Sequence, residues 1–269
     1  MRTAGAADPG LGRALLECRV LGPVEVCRDG RGVPLDGAKQ RTVLAALLLA
    51  GKCLVEDTRL SDLLWGRYPP TTSSAQIYTY ISRLRRALGP DAAILRRPPG
   101  YLLYVEAVRF DLAEFETCAS AGHAGLVAGR YEEAAAMLRA ALSCWRGPAL
   151  ADTSVHLAEA EGPRLEEARL AVVESRLEAD LAMGHQRQVL VELIQLVRLY
   201  PLRERFRAQL MTALYRCDRQ AEALARYDEG RRLLADELGV DPGMLLREVY
   251  HAILTADPRL SVLGLVVPT

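Results

Sequence analysis

The first hundred residues alternate between two hydrophobic rhythms. From Leu16 the chain runs in short β-prone stretches, Cys18–Leu21 and Val24–Cys27, separated by Gly22-Pro23; Asp29-Gly30 then supplies a hairpin turn before Val33–Leu35. These runs predict a small antiparallel sheet of three or four strands. The rhythm changes at Asp36, an N-cap for a helix from about Ala38 to Ala50 that buries Val43, Leu44, Leu47 and Leu48. A brief extended stretch, Cys53–Val55, precedes a second short helix capped by Thr58, carrying Leu60, Leu63, Leu64 and Trp65 and ended by Gly66 and Pro69-Pro70. A third helix runs from about Thr72 to Leu88 and stops at Gly89-Pro90. Two β-type segments, Ile94–Arg97 and Tyr101–Val105, flank Pro98-Pro99-Gly100. Sheet, three helices and a closing hairpin make the order of an α+β winged helix.

Beyond Phe110-Asp111 the β pattern stops. Residues to Ala256 read as helix, with breaks expected at Gly129, Gly147-Pro148, Gly162-Pro163, Gly184, Pro201, Asp218 and Gly239–Gly243. Such spacing predicts helical hairpins stacked in series, an all-α domain. Gly129–Ala134 and Asp218–Ala223 resemble each other and the second half of a tetratricopeptide repeat: a corner residue before a close-packing, Ala-rich helix. The full repeat consensus is not met. The expected organisation is a disordered tail over 1–15, a winged-helix domain over 16–109, a tetratricopeptide-like helical domain over 110–258 and a tail over 259–269.

Composition modifies this picture in one respect. Net charge is zero, yet residues 1–110 hold 16 Lys/Arg against 10 Asp/Glu and the remainder 18 against 24. A basic half joined to an acidic half suggests that one domain meets a polyanion and the other does not.

The third helix carries the most chemistry. At about 100° per residue, Ile77, Ile81, Leu84 and Leu88 form a narrow apolar stripe, and the opposite face presents Thr72, Thr79, Ser82, Arg83 and Arg86 with Gln76 at its margin. Arg and Gln can bond base edges bidentately while hydroxyls and outlying cations hold phosphates. An isolated helix of this kind is more often merely solvated; its place in the strand–helix–helix–helix–hairpin series favours a helix that enters the major groove. Tyr78 and Tyr80 flank that face, where half-buried packing competes with phosphate contact. Lys39 and Arg41, in the first turn of the first helix, oppose the helix dipole but with free backbone N–H groups could form a phosphate site; simple solvation accounts for them equally well. Arg96 and Arg97, on the wing, suit a minor groove or an exposed hairpin. Trp65 reads as a core anchor.

Other classes find little support. Cys18, Cys27, Cys53, Cys118, Cys144 and Cys217 are scattered without a C-x-x-C pair, and His123, His156, His185 and His251 are dispersed, so buried free thiols are expected and no metal or other cofactor. No Walker loop exists: Gly51-Lys52 is followed by Cys53, with Ala46 where a glycine belongs. G-x-S-x-G, H-E-x-x-H and a dinucleotide turn are absent, so no enzyme is expected. Carboxylates of the second half lie at helical spacing from arginines, the pattern of a solvated face. Met1–Arg13 lacks the apolar core of a signal peptide, and Val43–Ala50 is far short of the ~20 residues of a membrane span, so a cytoplasmic chain with no membrane partner is expected.

Several segments together carry a family resemblance. Ala75–Leu88, the Leu64-Trp65-Gly66 helix end and Arg97–Tyr101 resemble the Streptomyces antibiotic regulatory protein family, whose members join an OmpR-type winged helix to a bacterial transcriptional activator domain. Cys144–Leu150, Tyr200–Arg205 and Asp236–Gly243 extend the resemblance across roughly residues 16–258, as in the short form without an appended ATPase or sensor module. The resemblance implies a sequence-specific activator of an antibiotic or other secondary-metabolite gene cluster. It implies binding to promoter direct repeats in double-stranded DNA, and recruitment of RNA polymerase through its sigma subunit; two protomers lying head-to-tail, a dimer on DNA, are expected on such tandem repeats. It also implies a polymerase contact on the loop between the second and third helices, here Gly66, Arg67, Tyr68, Pro69, Pro70 and Thr71. No receiver domain is present, so two-component phosphorylation is not implied. A repressor or a protein-interaction scaffold would use the same two domains.

Overall fold

The computed structural model describes residues 16–105, 108–258 and 260. The expected tails fall outside the described residues except for Leu260. Contacts divide the chain into two compact units: residues to Phe115 with Cys144–Glu167, and Glu116–Ser143 with Ala168 onward. The first unit is thus discontinuous, taking in a segment from beyond the boundary expected near residue 110.

In the first unit, β1 (Leu16–Arg19), β2 (Glu25–Arg28), β3 (Arg31–Gly32) and, far along the chain, β7 (Val108–Phe110) form one sheet in the order β3-β2-β1-β7. The first three strands pair antiparallel, whereas β7 lies parallel to β1, with Leu16 opposite Val108. The third strand is Arg31–Gly32, not Val33–Leu35, because the tight Asp29-Gly30 turn brings Arg31 directly opposite Arg28. Helices α1 (Gly37–Leu49), α2 (Asp57–Trp65) and α3 (Ser73–Leu88) follow, with the two-residue β4 (Val55–Glu56) between α1 and α2. Asp57, not Thr58, begins α2; Glu56 stands at its cap, and the Thr58 hydroxyl bonds the Glu56 carboxylate. The hairpin β5 (Ala92–Arg97) and β6 (Gly100–Val105) joins β4 in a second sheet of order β4-β6-β5. The core between α1, α2, α3 and the hairpin contains Val43, Leu44, Leu47, Leu60, Ile81 and Leu84, each no more than 0% exposed. The segment beyond Cys144 adds Leu150 and Leu157 as buried residues.

The second unit is helical. It draws on α4 (Asp111–Val127), α5 (Tyr131–Ser143), α6 (Val155–Ala182), α7 (Gln186–Leu199), α8 (Glu204–Tyr215), α9 (Gln220–Leu238) and α10 (Met244–Leu254); α4 and α6 are divided between the units by the boundaries above. The breaks at Gly129, Gly184, Pro201 and Asp218 fall between helices as expected. The break at Gly162-Pro163 does not: α6 runs through both residues. Proline removes one backbone donor, a cost normally near ~3 kcal/mol inside a helix. Here Pro163 is exposed, while Leu157 and Leu165, both fully buried, pin the helix on either side of it. Ala134 and Ala223, the paired alanines of the two similar stretches, are 0% exposed, giving the close helix approach of tetratricopeptide-like hairpins. Leu177, Leu193, Phe206, Met211, Leu214 and Leu246 are central to this core.

Charge placement departs from the solvated pattern. Arg130–Glu133 and Arg219–Glu222 are exposed i,i+3 pairs, but Asp180 is 2% exposed, held by Arg176 at 3.1 Å and by Arg139, and Glu174 is 9% exposed and paired with Arg203. Helical spacing alone does not separate a surface pair from one that the next helix covers. None of the six cysteines is in a disulfide, but only Cys18 is buried and Cys53 is exposed, so the expectation of buried thiols holds for one.

Candidate nucleic-acid interface

Helix α3 owes its fixed position to side chains that never reach the outer face. Ile77, Ile81, Leu84 and Leu88 are buried. Arg85 donates from Nε and Nη2 to the Ile94 carbonyl at 2.8 and 2.6 Å, tying α3 to β5. Arg28 donates to the Leu88 carbonyl at 2.6 Å, satisfying an acceptor that the helix end leaves open. With Arg85 spent on the hairpin, Arg83 and Arg86 project outward, exposed, with no hydrogen bond or ion pair among the described residues.

The remaining residues expected on this face are brought together. Thr72, at the N-cap, Thr79 and Ser82 are exposed. Gln76 is half-buried, donating to the Thr72 hydroxyl at 2.9 Å and accepting from the Tyr80 hydroxyl at 3.3 Å. This i,i+4 row holds the amide in one orientation before any ligand arrives. Tyr80 is half-buried, whereas Tyr78 is 63% exposed. The Thr79 hydroxyl donates back to the Ala75 carbonyl at 2.9 Å, leaving its oxygen lone pairs to face outward.

The cations of α1 part company. Lys39 is exposed, its ammonium 5.1 Å from the centre of the Trp65 ring. Asp36 stands at the N-cap of α1 without a side-chain capping bond, so the first-turn N–H groups are not occupied by it. Arg41 instead turns into the fold: Nε lies 2.9 Å from Asp152 Oδ2 and Nη1 donates to the Leu35 carbonyl at 3.0 Å. The wing shows the same division. Arg96 grips Asp57 with two bonds of 2.7 Å, its guanidinium 4.6 Å from the Tyr101 ring centre, while Arg97 is exposed and has no such partner among the described residues.

On the α2–α3 loop, Arg67, Tyr68, Pro69 and Thr71 are exposed, Tyr68 to 88%, and Gly66 and Pro70 are half-buried. Gly66 has φ 63°, and a Cβ there would stand 2.7 Å from the His156 ring, so both backbone geometry and close approach require glycine.

His156 belongs to a feature that no local sequence pattern marks: residues 144–157 run as a strap within the first unit. The Arg146 and Leu150 amides donate to the carbonyls of Leu21 and Val20 at 2.8 and 3.0 Å. The Arg146 side chain pairs with Glu25 at 2.8 Å, and the Ser154 amide donates to the Thr42 hydroxyl at 2.8 Å. Asp152 serves both partners, accepting from the Val24 amide at 2.7 Å and pairing with Arg41. Asp111 fastens the same corner by accepting from the Val20 and Leu21 amides at 2.9 Å. Burial pushes its carboxyl up from the ordinary range, opposed by those backbone bonds and by Arg146. The Cys144–Leu150 motif was visible in the sequence as a marker of the helical half; nothing in its spacing reveals that it lies against the sheet. Among the described residues no group of His, Cys, Asp and Glu is arranged to hold a metal, and no helix is long and apolar enough to cross a membrane.

The chain is similar to several known regulators. The bacterial transcriptional activator domain family matches residues 110–254. Regulatory protein AfsR of Streptomyces coelicolor is 44% identical over 246 residues, which cover 91% of this chain and 25% of that protein. Regulatory protein DnrI of Streptomyces peucetius is 36% identical over 264 residues, covering 94% of this chain and 97% of DnrI. A solved structure, "Mycobacterium tuberculosis EmbR in complex with low affinity phosphopeptide", matches with a TM-score of 0.85 at 37% identity, over 91% of this chain and 66% of that one. The chain therefore spans a quarter of the length of AfsR and nearly all of DnrI. Fold and likeness together define a winged helix joined to a helical bacterial transcriptional activator domain. The chain belongs to the Streptomyces antibiotic regulatory protein family.

Proposed function

We propose that the chain is a cytoplasmic, sequence-specific activator of an antibiotic or other secondary-metabolite gene cluster. Two protomers lie head-to-tail on promoter direct repeats about one helical turn (~10–11 bp) apart, each α3 in a major groove on the same face of the duplex. The observation that carries this reading is the pair Arg83 and Arg86: two guanidiniums on a rigid helix with no partner in the described protein. Thr72, Gln76, Thr79 and Ser82 complete the base-facing and nearby phosphate contacts, Lys39 meets a phosphate, and Arg97 approaches the minor groove. Arg41 and Arg96, whose guanidiniums are held by Asp152 and Asp57, act by fixing α1 and the wing. The exposed loop from Arg67 to Thr71 meets the sigma subunit of RNA polymerase.

A mobility-shift titration with DNA upstream of the neighbouring biosynthetic genes, followed by transcription with purified polymerase, tests this. A salt-sensitive shift on spaced repeats and increased transcript are expected. A shift with reduced transcript would make the chain a repressor, and no shift on any such DNA would leave only a scaffold.

A further inference from the structure

The second unit contains a cavity of about 440 Å³ between α7, α8 and α9. Its walls are Ile194 and Val197 of α7, Leu210 of α8 and Leu233 of α9. Its charged lining is Arg198, Arg207, Arg226 and Glu229, three cations against one carboxylate. Small-molecule sites fall at about 300–1,000 Å³ and combine apolar walls with a few convergent polar groups.

Arg207 distinguishes this cavity from a surface crease. It is 5% exposed, yet its guanidinium donates only to two neutral acceptors, the carbonyls of Arg226 and Pro201, both at 3.1 Å. No carboxylate pairs with it among the described residues; Glu229 is engaged by Arg226 at 2.7 Å. Burial, with Arg226 adding to it, lowers the Arg207 pKa, opposed at a distance by Glu229 and Glu204. A buried guanidinium that no carboxylate contacts directly is costly, and an anion entering beside it would offset that cost. The helix opposite is shaped for the guanidinium: Gly230 is buried, and a Cβ there would stand 2.4 Å from Arg207 Cδ. At the rim, Arg198 is exposed and has no ion pair among the described residues, leaving a second cation to meet an incoming anion. Ile194, 45% exposed, continues the apolar wall toward solvent.

We infer that this cavity binds a small organic carboxylate, with the acid head between Arg207 and Arg198 and an apolar body against Ile194, Val197, Leu210 and Leu233. The inference is independent of how α3 meets DNA and gives the helical unit a ligand input of its own.

Calorimetric titration of the full chain with sodium octanoate, with octan-1-ol as the uncharged control, tests it. Octanoate should bind saturably at one site and raise the thermal midpoint. Octan-1-ol should bind about tenfold or more weakly, because it lacks the charge-assisted bonds. Arg198→Ala should weaken octanoate about tenfold, and Leu233→Glu, which sets a carboxylate in the mouth, should abolish binding; circular dichroism checks that both variants remain helical. Arg207→Met should also abolish binding if it folds, and if it does not, the two rim variants decide the question. Equal affinity for octanoate and octanol, no saturable heat, or undiminished binding by the folded Leu233→Glu variant would overturn the proposal and leave Arg207 as a purely structural tie between α8, α9 and the Pro201 turn.

Discussion

Two pairs of arginines in the first unit look alike in the sequence and differ in the fold. Arg83 and Arg86 stand on α3 with nothing opposite them, whereas Arg41 and Arg96 are each held by an aspartate, at 2.9 Å by Asp152 and at 2.7 Å by Asp57. All four lie in the basic half, and local charge counting treats them equally. What separates them is an acid placed elsewhere in the chain. An arginine whose partner is supplied by the fold contributes to architecture; one left without a partner on a rigid surface retains its full capacity for a phosphate or a base edge.

This contrast can be broken or sharpened by substitution. The largest effect is expected from Asp152→Ala, which leaves the half-buried Arg41 guanidinium only main-chain carbonyls and takes the acceptor from the buried Val24 amide. Urea unfolding should show a loss of about 3 kcal/mol from the first unit, and a loss under about 0.5 kcal/mol would mean that the strap adds nothing. Arg41→Ala should cost about 2 kcal/mol by the same measurement while leaving DNA affinity unchanged in the folded fraction; a specific affinity defect without a stability defect would move Arg41 into the contact surface. Lys39→Ala should leave stability alone and weaken all DNA sequences alike, reducing the slope of log affinity against log salt by about one. The smallest effect separates the thiols. Burial, with Asp111 and Cys27 adding to it, pushes Cys18 up to about 12, so iodoacetamide at neutral pH should modify exposed Cys53 and leave Cys18 untouched until the unit unfolds.

The parts of the fold that were legible in the sequence are those decided within a turn or two of chain. The α3 stripe of Ile77, Ile81, Leu84 and Leu88 needs only helical periodicity, and the stops at Gly66, Gly89 and Gly184 need only glycine's access to positive φ. What could not be read locally depends on residues distant in sequence. Strand β7 pairs with β1 across more than ninety intervening positions, as Leu16 meets Val108. Helix α6 survives Gly162-Pro163 because the residues around the proline are anchored by tertiary packing. The same holds for function. The outward face of α3 was visible as a face, but the commitment of Arg41 depends on Asp152, and that of Arg96 on Asp57. Likewise Arg198, Arg207 and Arg226 come from three different helices, and no sequence window marks the cavity they share.

Activation by this chain depends, in the proposed function, on the outer face of α3 lying against the bases. That placement is tested most directly by titrating promoter DNA, at one fixed salt concentration, with the parent protein and with the Arg83→Ala/Arg86→Ala double variant, each checked by urea unfolding. A loss of specific affinity of about 100-fold or more is expected, with the unfolding free energy changed by less than about 0.5 kcal/mol. Equal affinity in two equally stable proteins would contradict that placement.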